Sequence, residues 1–332
     1  MRKFIQFFTV AIIALSASIL SADIKPAVIY DMGGKFDKSF NEGVYNGVQR
    51  FTKETGIKVM EFEVTNEAQR EQGMRKMAQR GADVILCVGF SQADACDKVA
   101  KEFPDTKFSI IDVGWLDNPN MRQYVFKEHE GSFLVGALAA MASKTGKVSF
   151  VGGQDVPIIK KFACGYVQGA KAVNSKIEVF QNMTGDTPAA WNDPAKGSEL
   201  AKSQFDRGSD VVFAAAGGTG AGVYQAAADS GKLAIGVDSN QNHMQPGTML
   251  TSMLKRVDLA AYQTFMDVKN ENFTSGVAVL GLAEEGVGWA LDEHNESLIT
   301  DVMKSTIKGL ANKVVAGDIK VHDYLSDNNC PS

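Results

Sequence analysis

The stretch KPAVIYDMGGKFDKSFN, residues 25–41, decides the fold. Lys25 apart, its first six residues are apolar and partly β-branched, too short for a helix and suited to a buried strand. The pair Gly33-Gly34 then permits backbone angles that other residues resist, and Ser39 stands where it can cap a helix over 39–55. Strand, glycine loop and helix in that order are the opening of an α/β unit.

Working outward, the same unit repeats. Strands are expected over 57–64, 83–88 and 107–111, with helices over 67–80 and 92–102 between them. Neither face of these strands is polar enough to meet water, so they belong to a parallel sheet covered on both sides. After a Gly- and Ala-rich helix over 131–143 the plan starts again. Strands at 147–151, 177–183, 210–215 and 232–237 alternate with helices at 159–175, 197–207 and 222–229. A strand at 248–252, a helix at 257–270, an extended segment at 276–288 and a helix at 298–316 complete the chain. The fold class is therefore α/β, two doubly wound lobes with a cleft between them. The expected division is residues 23–143 for the first lobe, completed by part of 249–290, and 144–248 for the second, completed by part of 285–332.

Upstream of the deciding stretch, Met1, Arg2 and Lys3 precede an apolar run over 4–15 and small residues over 16–22. This is the order of a secretory signal peptide, with cleavage expected after Ala22 or, alternatively, Ala17. No cysteine precedes Cys87, so the expectation is a cleaved, unlipidated protein free in a Gram-negative periplasm. Cleavage removes Arg2 and Lys3 and takes the formal charge from -5 to -7; nothing in that balance attracts nucleic acid. Cys87, Cys96, Cys164 and Cys330 are too few to build the fold by disulfides. Cys87 and Cys96 either bridge a strand and its following helix or remain buried thiols.

In open α/β sheets ligands sit beyond the carboxyl ends of the strands. Within 31–41, Phe36 is a stacking platform with Asp37 and Asn41 reading a ligand edge, or else Phe36 is a plug between lobes and Asp37 helps cap the helix. Gly89-Phe90-Ser91 ends one strand. Asp112 and Asp238 each follow directly on an apolar strand, placed for a two-point contact with a diol, although Asp at a strand end is also a turn former. The segment 214–222 superficially matches a dinucleotide fingerprint. Gly218, Gly220 and Gly222 give G-x-G-x-G, however, and Val223 stands where the last glycine is required. A backbone nest for a small ligand survives that objection better. His129, His243, His294 and His322 show no metal spacing, and no nucleophile elbow or phosphate loop is present. No cofactor, metal or catalytic residue is expected. Trp191 lies in a polar loop, either a lid over ligand or a plug.

The motifs at 31–41 with Gly43 and Gly47, the segment 191–197, the run 214–222 and Val237-Asp238-Ser239-Asn240-Gln241 together resemble the basic membrane protein family, across nearly the whole mature chain. These are substrate-binding components of ABC transporters, related to purine-nucleoside receptor lipoproteins of spirochaetes. The resemblance implies a type I periplasmic binding fold with three crossovers and a monomer that carries a nucleoside to an inner-membrane permease. It implies a base held between aromatic rings, Phe36 from one lobe and Trp191 from the other, with Asn41 at the base edge. Ser91 and Asp112 would extend the first wall; Gly218, Asp238 and Lys255 would supply the second, with Phe162 nearby. Another small solute such as riboflavin, or a dinucleotide-dependent oxidoreductase, is the alternative.

Overall fold

A computed structural model describes residues 24–331. The expected signal segment, 1–22, lies outside them. The deciding stretch folds as β1 (Pro26–Tyr30), a glycine loop and α1 (Phe40–Thr55). All five residues of β1 are buried, as a strand covered on both faces must be. The first lobe continues with β2 (Met60–Glu63), α2 (Gln69–Gln79), β3 (Val84–Cys87), α3 (Ala93–Glu102), β4 (Lys107–Ile111) and β5 (Met121–Phe126). There follow α4 (Glu128–Ala142), β6 (Lys147–Gln154), α5 (Pro157–Val173), β7 (Glu178–Gly185), α6 (Pro194–Asp206), β8 (Val211–Ala215), α7 (Gly220–Asp229), β9 (Leu233–Asp238) and β10 (Met249–Lys255). Then come α8 (Val257–Lys269), β11 (Gly276–Leu280), β12 (Val287–Trp289) and α9 (Asp301–Ala316).

Two six-stranded sheets result, ordered β11-β5-β4-β3-β1-β2 and β12-β10-β9-β8-β6-β7. The orders are equivalent position by position, so β4 and β9 hold matching places. Every pairing is parallel except β10 with β12. The chain passes between the sheets three times, after β5, after β10 and between β11 and β12. The helices at the first two passages change sides: α4 follows the first sheet but packs on the second, and α8 does the reverse. Close approach makes that exchange possible. A Cβ at Gly165 or Gly169 on α5 would collide with the backbone of α4, and one at Gly47 on α1 with Asp258 of α8.

The alternation of elements read from the sequence is present, with one strand added and the extended segment 276–288 divided into β11 and β12 of different sheets. β5 escapes an apolar reading because Arg122 and Gln123 interrupt it, yet both are buried. Arg122 Nε donates to the Thr274 carbonyl at 2.8 Å, and Gln123 exchanges two 2.8 Å hydrogen bonds with the Leu116 backbone. Cys87 pairs with Cys96 and Cys164 with Cys330. The second pair fastens the C-terminal segment to α5. No helix among the described residues is long and apolar enough to cross a membrane.

Candidate functional site

A cleft lies beyond the carboxyl ends of both sheets, where ligands of open α/β sheets bind. Seven of the residues expected at a site line it: Asp37, Asn41, Asp112, Phe162, Trp191, Asp238 and Lys255.

Asp112 ends its strand in the left-handed region at φ 67°, and Asp238, the equivalent residue of the second lobe, at φ 63°. Side chains other than glycine resist this region; Asp is among the few that tolerate it. Turned this way, both carboxylates leave the strand direction and enter the cleft. Lys255 Nζ lies 2.7 and 2.8 Å from the two Asp112 oxygens and 3.0 Å from Glu128 Oε1. The Phe40, Phe126 and Phe162 rings surround its ammonium, with centroids 5.1, 5.3 and 5.6 Å away. Burial opposes the Lys255 charge, but Asp112, Glu128 and Asp238 overcome it and raise the pKa above an ordinary lysine. Burial pushes Asp112 up to about 6 despite that ammonium, and Asp238 likewise to about 6. Glu128, also buried, is instead drawn down to about 2, because Lys161 and Lys255 both face it.

The loop 31–41 is used differently from the expectation. Ser39 does not cap α1; its hydroxyl donates across the cleft to Asp238 Oδ2 at 2.6 Å. Asp37 takes the capping task, accepting the backbone N–H of Ser39, Asn41 and Glu42 at 2.8, 3.0 and 3.1 Å. Asn41 reaches the cleft, but its amide is engaged with Asp37 at 3.3 Å and Asp31. The expectation for Phe36 is corrected. It does not line the cleft and is 59% exposed. Gly33 and Gly34, both at positive φ, swing the next two residues outward. There Lys35 pairs with Glu61 at 2.9 Å and covers the Phe36 ring, which meets Tyr45 edge-on at 5.2 Å. Phe40 and Phe90 face the cleft instead.

Two further expected residues stand just behind the wall. Ser91 is not a lining residue; its hydroxyl donates to Asp31 Oδ2 at 2.7 Å, and Asp31 is what faces the cleft. Gly218 is replaced at the surface by its neighbour Gly217. Trp191 lies over a glycine floor, since a Cβ at Gly153 would collide with its ring and one at Gly217 would come within 3.3 Å of its carbonyl. Asp31, Phe40 and Phe90 were missed, although each adjoins a strand end or opens the helix after the glycine loop. Where they lie in sequence is therefore the signal that could have found them.

A family model described as "Bmp: ABC transporter substrate-binding protein PnrA-like" matches residues 24–324. The "ABC transporter nucleoside-binding protein BmpA" of Lactococcus lactis subsp. cremoris is 30% identical over 308 residues, 86% of this chain and 87% of that protein. An uncharacterized lipoprotein of Pyrococcus horikoshii is 33% identical over 282 residues, 81% of this chain and 69% of that one. A solved ABC transporter system solute-binding protein from Aeropyrum pernix K1 superposes with a TM-score of 0.82 at 28% identity, covering 90% of this chain and 92% of its own. The lipoprotein relative overturns the expectation of an unlipidated chain free in the periplasm. That expectation rested on the N-terminal segment and on the position of the first cysteine, and a relative of this similarity is lipid-bearing by name.

Proposed function

The chain belongs to the Bmp family of PnrA-like ABC transporter substrate-binding proteins, and from that premise we propose that its cleft captures a nucleoside, a purine nucleoside by preference. Solute binding for an ABC transporter is the family's role, and it calls for a membrane permease as partner and for no catalytic group. The observation that carries the narrower reading is the pair of equivalent strand-end carboxylates, Asp112 and Asp238, both turned into the cleft beside Lys255. A ribose diol matches such acceptors, and each charge-assisted hydrogen bond contributes about 1.5–3 kcal/mol. Phe40, Phe90, Phe162 and Trp191 offer ring surface to a flat base; an aromatic stack adds about 0.5–1.5 kcal/mol beyond area burial.

The two sheets with three passages fit a type I periplasmic binding fold of one monomer, divided near residues 143 and 248. Ligand bridging the lobes favours the closed arrangement, which a permease can distinguish from the open one. Calorimetric titration with purine nucleosides, pyrimidine nucleosides and free bases tests the reading. Asp238→Asn is expected to weaken purine nucleoside binding at least tenfold while leaving the fold intact. Binding of free bases as tightly as nucleosides would remove the role given to the carboxylates.

A further inference from the structure

The three passages between lobes meet at one place. The Lys127 N–H donates to the Leu280 carbonyl at 3.0 Å, and the Arg256 N–H to the Gly286 carbonyl at 2.8 Å. Into this hinge project three charged side chains that are 1–2% exposed: Lys255 at the end of β10, Glu128 at the start of α4 and Lys161 on α5. Glu128 takes Lys255 on one oxygen at 3.0 Å and Lys161 on the other at 2.9 Å. Lys161 also donates to the Phe126 carbonyl at 2.7 Å, at the last residue before the first passage. Neither Glu128 nor Lys161 lines the cleft.

Charge balance gives this arrangement a consequence. Lys255 by itself would serve two buried carboxylates, Asp112 in the cleft and Glu128 in the hinge. Lys161 supplies a second buried cation to Glu128 while also meeting the partly exposed Asp323 at 3.4 Å, so that Glu128 is served without Lys255 being drawn away from Asp112. Unpaired charge in such a site is strongly unfavourable, whereas removing both members of a pair is often nearly neutral. We propose that Glu128 and Lys161 are positioning residues for ligand capture, a hinge-buried pair that holds Lys255 against Asp112 and so sets the affinity of a cleft neither residue touches. The inference rests on the nucleoside reading of the cleft.

The test compares Glu128→Gln, Lys161→Met and the double variant, with guanosine as titrant. Each single variant is expected to bind at least fivefold more weakly than the parent. The double variant, its balance restored, is expected to recover at least threefold over the weaker single. A double variant that recovers less than this, or single variants that lose thermal stability but keep the parent affinity, overturns the proposal. Should Lys161→Met not fold, Glu128→Gln against the double variant makes the same comparison. If the parent binds no nucleoside, the nucleoside reading fails, and carbon-13 NMR titration of the Asp112 carboxyl decides the inference on its own. A midpoint that rises in Lys161→Met and returns in the double variant supports it, and an unmoved midpoint refutes it.

Discussion

Replacing Lys255 by methionine removes a cation that two buried carboxylates share while keeping most of the side-chain volume. With Nζ 2.7 Å from Asp112 and 3.0 Å from Glu128, the gross attraction at an effective dielectric near 20 is about 6 and about 5.5 kcal/mol. Desolvating the ammonium offsets much of that, and breaking a buried pair by removing one partner costs a net of about 3–5 kcal/mol. That is the loss expected at pH 7 from urea unfolding followed by tryptophan emission. At pH 5 it shrinks. The Asp112 carboxyl is already held at about 6 in the native protein, and without its ammonium it is pushed higher, so at pH 5 it is neutral and needs no partner. The recovery is expected to reach at least about 1.4 kcal/mol, the worth of one pH unit to one proton. A loss below about 1 kcal/mol at pH 7, against the 3–5 expected, would refute the shared-cation reasoning, as would a loss that stays the same at pH 5.

Two other outcomes follow from the same geometry. Asp112 and Asp238 sit at about 6 when folded against an ordinary 3.8, so between those values the native state holds more protons and stability falls as pH rises. Glu128, at about 2 against 4.5, contributes stability above 4.5 that is lost as pH falls toward 2. Urea midpoints are therefore expected to peak at about pH 4 and to fall from there to pH 7, and a steady rise from pH 5 to 7 would contradict the Asp112 and Asp238 assignments. Gly153→Ala drives a methyl group into the Trp191 ring. It is expected to cost about 1–3 kcal/mol and to shift the indole emission, and unchanged emission with unchanged stability would remove Trp191 from its glycine floor.

The two-lobe α/β architecture was legible because its central strands are largely apolar runs, as in β1, β3 and β8. β5 was not, because Arg122 and Gln123 are satisfied by partners distant in sequence or by a loop carbonyl, which no local pattern displays. The side-switching of α4 and α8 was also hidden, since a buried helix carries no mark of which sheet covers it. At the site, Asp112 and Asp238 could be picked out by their place after a strand. Phe36 could not be placed, since two glycines decide which way the loop turns. Glu128 and Lys161 look like ordinary helix charges in sequence, and only the meeting of three chain passages buries them.

The equivalence of Asp112 and Asp238 bears on why such an arrangement persists. A residue other than glycine in the left-handed region costs about 1–2 kcal/mol, and the chain carries that strain at matching positions of both sheets. Packing alone gives no reason for it, because a glycine at either strand end would turn without strain. What glycine lacks is the carboxylate, and in each lobe the strained turn is what aims that carboxylate into the cleft. The first is held there by Lys255 from the opposite lobe and the second by Ser39, also from the opposite lobe. On the proposed nucleoside reading, each lobe presents an acceptor held in place by a side chain of the other, so the two are oriented together in the closed arrangement. A solute that engages both carboxylates gains full affinity in that state alone, which is the differential binding that closure requires.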